Sequence, residues 1–244
     1  MGESVFVTVL RVVTTITSVL VCLAPLPDIL RVRRQRNTDS MSVLPLVMIF
    51  SNSHIWAMYG YLVGNFFPLF AQCVIGEAAN LVFICIYYRF SSDRGYILKL
   101  AAIAAIGLAI MTTYVILATT GVTNETHHHI EKVMGFVAVA INICMYGSPL
   151  EVMASVVRTK SAAALPIAFS AMSFVNCALW VVFGAVDHDM FVLTPNAIAT
   201  GLSAVQIGLY LIYRPSQHTV DTEDVSLDKD PTRMSSPATV FTAV

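Results

Sequence analysis

Residues 52–56 read Asn52-Ser53-His54-Ile55-Trp56, and residues 176–180 read Asn176-Cys177-Ala178-Leu179-Trp180. Both stretches lie inside apolar blocks, and both set an amide one helical turn before an indole. The agreement spreads outward. Tyr59-Gly60 matches Phe183-Gly184, and Ile86-Tyr87 matches Leu209-Tyr210. Upstream, Pro25 to Pro45 reappears as Pro149 to Pro166, each pair enclosing a short basic stretch and a serine (Ser40, Ser161) five residues before the later proline. One unit has been copied, and self-similarity of this kind constrains an architecture before any single element does.

The blocks that carry the copies have membrane length. A helix needs about 20 apolar residues to cross a hydrocarbon core about 30 Å thick. Seven stretches qualify: Val5 to Leu26, Val43 to Val63, Pro68 to Tyr88, Ile97 to Leu117, Val133 to Met153, Leu165 to Val186, and Phe191 to Tyr213. Composition agrees, since 57% hydrophobic and 12% charged residues leave too little polar surface to cover a soluble domain. Each copy holds three spans. The odd fourth span makes the second copy enter from the same side as the first, so the repeats are parallel. The expected fold is an all-α integral membrane protein: seven transmembrane helices as two parallel three-helix bundles joined by a linker helix (3+1+3). Residues 1–90 form the first bundle, 91–130 the linker helix and outer loop, and 131–214 the second bundle. Residues 215–244 are rich in Asp, Thr, Ser and Pro, cannot bury enough apolar surface to order, and are read as a disordered cytosolic tail. Cys22, Cys73, Cys85, Cys144 and Cys177 all lie in apolar blocks and read as free thiols. The first apolar stretch runs to Leu30 with no small-residue cleavage site, so helix 1 is expected to be retained.

Lys and Arg mark the cytoplasmic side. Arg31, Arg33, Arg34 and Arg36 follow helix 1, Arg89, Arg94 and Lys99 separate helices 3 and 4, Arg158 and Lys160 follow helix 5, and Arg214 ends helix 7. The opposite loops hold only Lys132. This predicts an extracellular or lumenal N-terminus and a cytosolic C-terminus, in the plasma membrane or, alternatively, the Golgi or another endomembrane. Asn124-Glu125-Thr126 is a glycosylation sequon at Asn124, in a loop that this topology places outside.

These features together resemble the SWEET family of sugar transporters, a fold built from parallel repeats. The likeness runs over about residues 5–214. It is carried by Ala24-Pro25, Thr38 to Pro45, Asn52 to Trp56 and Tyr59-Gly60 in the first half. In the second it is carried by Met145-Tyr146-Gly147-Ser148-Pro149-Leu150, Val157 to Ser161, Leu165-Pro166, Trp180, and Asp189 through Pro195-Asn196 to Gln206 and Tyr210. The chain departs in helix 3, where many members carry Asn three residues before a glycine and this one has Cys73 before Gly76.

Sugar recognition needs hydrogen-bonding groups for hydroxyls and flat apolar faces for the C–H side of the ring. Asn supplies the first and Trp the second, with one N–H besides. The resemblance implies that Asn196 and Cys73 are the pseudosymmetric pair at the sugar, flanked by Trp56 and Trp180, with Val21 and Met145 lining the same space. Asn52 and Asn176 share a helix face with Trp56 and Trp180; their plainer reading is bonding between helices. Two tryptophans narrow a pocket and favour a monosaccharide. Pro25, Pro45, Pro149 and Pro166 stand at matching positions, and proline weakens a helix locally; the resemblance implies hinges of an intracellular gate. It likewise makes Tyr59 and Asp189 the pair that meets when the extracellular gate shuts, against the alternative of a helix-end Tyr and a loop Asp. Glu77 near mid-depth reads either as a proton relay or as a group bonded within the bundle, near Arg11. His127, His128 and His129 lack ligand spacing and read as an exposed polar loop, so no metal and no cofactor are expected. Ser236-Pro237 in the tail offers a regulatory site without further support.

The functional expectation is a facilitative uniporter that moves a monosaccharide, glucose or a related hexose, by alternating access. Expected partners are the small-molecule sugar and membrane lipid, without nucleic acid. The resemblance allows homo-oligomers. Nucleotide loops, catalytic triads and paired catalytic carboxylates are absent, so no enzymatic activity is expected. One rival is a proton-coupled carrier of the PQ-loop type, whose Pro-Gln pairs this chain lacks. Another is a seven-helix receptor, which shares the helix count but not the duplication.

Overall fold

Helix follows wherever the chain is apolar and unbroken by proline, because in lipid every backbone group must be bonded within its own segment. The computed structural model describes residues 4–213 except residues 40 and 164. Those two, Arg214 and the tail from 215 to 244, with Ser236-Pro237, lie outside the described residues. Nine α-helices are described: α1 Val5–Cys22, α2 Leu26–Gln35, α3 Leu44–Leu62, α4 Ala71–Phe90, α5 Arg94–Thr119, α6 His127–Met145, α7 Gly147–Thr159, α8 Ile167–Val186 and α9 Met190–Tyr213. An irregular turn, Phe66–Phe70, leads into α4; within it Phe67 is extended and the Phe67–Pro68 peptide is cis.

Two of the seven expected spans are longer than their apolar stretches and broken. The span expected over Val5 to Leu26 stops at Cys22 and resumes as α2 to Gln35, so Arg31, Arg33 and Arg34 stand on a helix and not in a loop. The span expected over Val133 to Met153 begins at His127 and breaks at Tyr146 before α7. Its early start has a local cause: the Thr126 hydroxyl caps the helix by accepting from His129 N–H at 3.3 Å. His127, His128 and His129 are therefore a helical first turn, with His127 Nδ1 2.9 Å from Glu131 Oε1, and not the loop the sequence suggested. The four repeated prolines all sit where a missing N–H costs least. Pro25 precedes α2, Pro45 and Pro149 lie in the first turns of α3 and α7, and Pro166 precedes α8.

Among the described residues, six stretches are long and apolar enough to cross a membrane; α3 is the seventh helix of comparable length. It is less apolar because it carries Asn52, Ser53 and His54. About half its residues are buried in protein, so lipid does not dictate its outer face.

In the first triple α4 packs against both α1 and α3, and in the second α9 packs against both α6 and α8. The triples meet where α1 lies on α8 and α3 on α6, which closes a ring of six helices. The linker helix α5 packs outside that ring on α3 and α6. Large apolar side chains such as Ile103, Ile106, Phe136 and Ile212 point outward, as an integral membrane protein requires of its lipid-facing surface.

The core is divided unevenly. At the end away from the basic residues one cluster joins both triples through Leu10, Trp56, Tyr59, Met134, Trp180 and Phe183. Toward the basic end there are two separate clusters, one around Ile29, Leu46 and Phe83 and one around Val156, Ala162 and Leu165. The triples are joined at one end and parted at the other.

Candidate functional site

Between the parted ends lies a cavity of about 910 Å³. Trp56, Cys73, Trp180, Asn196, Asn52, Asn176, Val21 and Met145 all line it. Equivalent elements of the two repeats bring them there: α1 and α6 carry Val21 and Met145, α3 and α8 carry the Asn and Trp pairs, and α4 and α9 carry Cys73 and Asn196. Pro25, Pro45 and Pro166 border the cavity as well, and Pro149 does not. The lining continues through Asp28, Met41 and Ser42, so the cavity extends toward the basic end.

The two repeats do not treat their polar groups alike. In the second, Trp180 Nε1–H donates to Ser18 Oγ at 2.8 Å, and Ser18 donates to Asn176 Oδ1 at 2.9 Å. Thr17 Oγ1 stands 2.9 Å from the same Asn176 oxygen. The indole edge and the amide carbonyl are thereby fixed across the α1–α8 seam, and both residues line the cavity. In the first repeat Asn52 Oδ1 is buried without a hydrogen-bond partner. A buried amide oxygen without a partner costs about 1–3 kcal/mol. Asn196 spends one amide hydrogen on Val192 C=O at 2.8 Å, and Cys73 Sγ accepts from Gln72 Nε2 at 2.8 Å. The Tyr146 hydroxyl donates to the Pro195 carbonyl, tying the break between α6 and α7 to the proline of α9.

The cavity's far end is shut. Tyr59 O–H points at Asp189, 2.9 Å from each carboxylate oxygen, and Asp189 Oδ1 also accepts from the N–H groups of Phe191 and Val192. Burial pushes the Asp189 carboxyl above the usual carboxylate range, against the pull of these three donors. Asn65 Nδ2 donates to Asp187 Oδ2 at 3.2 Å, a second link between the turns that follow α3 and α8. Tyr59 also packs edge-on against Trp56 and Phe191.

Sequence reading missed Ser18 and Asn142, which line the cavity three residues before Val21 and Met145. The signal was present: a polar residue one turn before each predicted lining residue, in both repeats. It also missed the partner of Glu77. Glu77 hydrogen-bonds His54, which the sequence did not suggest. Asn124 is exposed in the turn before α6 and adopts a left-handed φ of 54°. Among the described residues no group of His, Cys, Asp or Glu is arranged to hold a metal.

Six ring-forming helices in two like triples, a seventh outside, and a cavity that equivalent positions of both triples line define a duplicated, membrane-embedded helical carrier-type fold. The chain belongs to the MtN3/saliva family, described as sugar efflux transporters for intercellular exchange, whose family model matches residues 8–95 and 132–218. That is a family of transporters and not of enzymes. Curated relatives include the bidirectional sugar transporter SWEET3 of Arabidopsis thaliana, 31% identical with 84% of this chain and 78% of the relative covered. SWEET16 of the same plant is 27% identical over 90% of this chain and 95% of its own. A solved structure of a eukaryotic SWEET transporter superposes with a TM-score of 0.73 at 23% identity, covering 85% of this chain and 96% of that one, which shows the shared fold.

Proposed function

We propose that this chain is a uniporter that carries a monosaccharide, glucose or a related hexose, down its gradient by alternating access. The observation that carries the reading is the cavity itself: lined by both repeats, shut at one end by Tyr59 and Asp189, and continued toward the basic end. Its volume lies within the range of small-molecule sites, about 300–1,000 Å³. The relatives' names as bidirectional sugar transporters supply the substrate class.

In this reading Trp56 and Trp180 stack on the sugar ring, while Asn196, Asn52 and Asn176 meet its hydroxyls. Cys73 takes the place that many family members give to asparagine; a thiol is a weak hydrogen-bond partner, so Asn196 carries more of the polar recognition. Val21 and Met145 fit the ring's apolar edge. The described conformation corresponds to a state open to the cytosol, if the positive-inside rule places the basic end there and the N-terminus outside. Return requires the Tyr59–Asp189 lock to part while the basic-end segments begun by Pro25, Pro45, Pro149 and Pro166 close. The plasma membrane with glycosylation at Asn124 accords with that orientation.

Asn196→Ala should abolish uptake of labelled hexose in cells lacking their own hexose carriers. Normal uptake at normal surface abundance would remove Asn196 from the site. A purified chain that moves no sugar between vesicle compartments would end the transport reading.

A further inference from the structure

Outside the cavity lining the fold gathers three polar side chains that the sequence reading did not join. His54 on α3 places Nδ1 2.9 Å from Glu77 Oε1 on α4, and Nε2 3.0 Å from Thr112 Oγ1 on α5. The His54 and Glu77 side chains are 25% and 27% exposed. Repeat register, set by Trp56 with Trp180 and by Cys73 with Asn196, puts Ala178 and Thr200 at the matching positions of the second triple. The cluster is therefore private to the first triple and its contact with the linker helix.

Hydrogen bookkeeping counts the protons held here. Thr112 Oγ1 is 2.8 Å from Leu108 C=O, which can only accept, so the hydroxyl hydrogen lies on that line. The contact with Nε2 then needs the ring to donate. The contact between Nδ1 and Glu77 needs one further hydrogen, carried either by the ring facing a carboxylate or by a protonated Glu77 facing a neutral ring. Ionisable groups inside a membrane are costly and persist where they serve a purpose.

We propose that His54, Glu77 and Thr112 form an intramembrane proton-binding site that, when loaded, latches α4 and the linker helix α5 to α3. Without the proton, one ring nitrogen becomes an acceptor. It then faces the Glu77 carboxylate or a Thr112 lone pair, unless Thr112 abandons Leu108 and turns its hydrogen toward the ring. Each rearrangement weakens the hold on α4 or α5, and α5 also packs on α6 of the second triple. The proton thus biases the seam between the moving parts without touching the sugar. Other ionisable groups on the packed helices include Cys73, Cys85, Tyr87, Tyr88 and Arg89 on α4, Arg94, Tyr96, Lys99 and Tyr114 on α5, and His127, His128, His129, Glu131, Lys132 and Cys144 on α6. The effect on flux rests on the transport reading above; the proton site does not.

The test uses the full chain labelled with ¹⁵N-histidine in lipid nanodiscs, together with sugar counterflow in vesicles, each read between about pH 5 and 8, where histidine changes charge. A ring signal with Nε2 protonated, as imidazolium or as the Nε2–H tautomer, should be present, should respond to pH, and should be lost in His54→Gln. Counterflow should slow as pH falls in the native chain, and this dependence should vanish in His54→Gln. A native spectrum in which His54→Gln removes no pH-responsive signal overturns the proposal, as does a pH profile that His54→Gln leaves unchanged. If His54→Gln fails to fold, Thr112→Val keeps the ring and its Glu77 partner; an unaltered titration of the His54 signal in that variant is equally fatal. Counterflow absent at every pH would count against sugar transport, while the spectrum would still decide the proton site.

Discussion

Replacing Tyr59 by Phe removes one oxygen and leaves the rest of the far end in place. The ring is 3% exposed and packs edge-on to Trp56 at 5.6 Å and to Phe191 at 5.9 Å, contacts that phenylalanine repeats. The matching position in the second repeat is already Phe183. What is lost is a hydrogen shared between two Asp189 oxygens, each 2.9 Å away. A hydrogen bond to a charged group contributes about 1.5–3 kcal/mol net. At about 1.4 kcal/mol per decade, its loss should shift the closed-to-open ratio of that end by about ten- to a hundredfold. Asp189 keeps the Phe191 and Val192 amides, so the turn survives and the effect is one of population. Spin labels at Tyr61→Cys and Val186→Cys, both exposed near the ends of α3 and α8, in a background with the five native cysteines replaced, would report the separation of α3 from α8. Tyr59→Phe should add a longer distance. A distribution identical to that of the parent would refute the claim that this bond holds the end shut.

Ser18→Ala leaves the Trp180 N–H without its acceptor and Asn176 Oδ1 without one of its donors. That costs about 1–3 kcal/mol and should weaken sugar binding by roughly tenfold as measured by calorimetry; an unchanged Kd would show that Ser18 does not position the pair. Gly184→Ala would set a Cβ 2.9 Å from Leu193 N, backbone against backbone, whereas a Cβ at Gly107 meets nothing within 4 Å. The first should lower the melting temperature of the solubilised protein, in line with about 1–3 kcal/mol for overpacking, and Gly107→Ala should not. Equal melting temperatures would contradict the close approach of α8 and α9.

The positions of the spans and the duplication were legible along the chain, and the resemblance they carry pointed to most of the cavity wall. Apolar run length alone fixes where a helix can cross lipid, and a copied unit must fold twice in the same way. The copied positions Asn52, Trp56, Asn176 and Trp180 therefore take equivalent places in the two triples. Helix breaks were less legible. Nothing in the run from Val5 to Gln35 distinguishes a helix that ends from one that bends at Leu23 to Pro25 and continues with arginines on its surface.

Only the tertiary structure decided which polar groups meet. Ser18 and Trp180 stand far apart in sequence, as do Tyr59 and Asp189, and their bonds depend on how α1 crosses α8 and how two turns face each other. His54, Glu77 and Thr112 lie on three helices and have no counterpart in the second repeat, so the internal comparison that exposed the cavity could not expose them. Sequence alone determined the duplicated helical frame, because burial in lipid is a property of each segment by itself. The lock, the fixed indole and the proton site came from the fold, because a hydrogen bond needs two groups within about 3 Å, and only packing sets that distance.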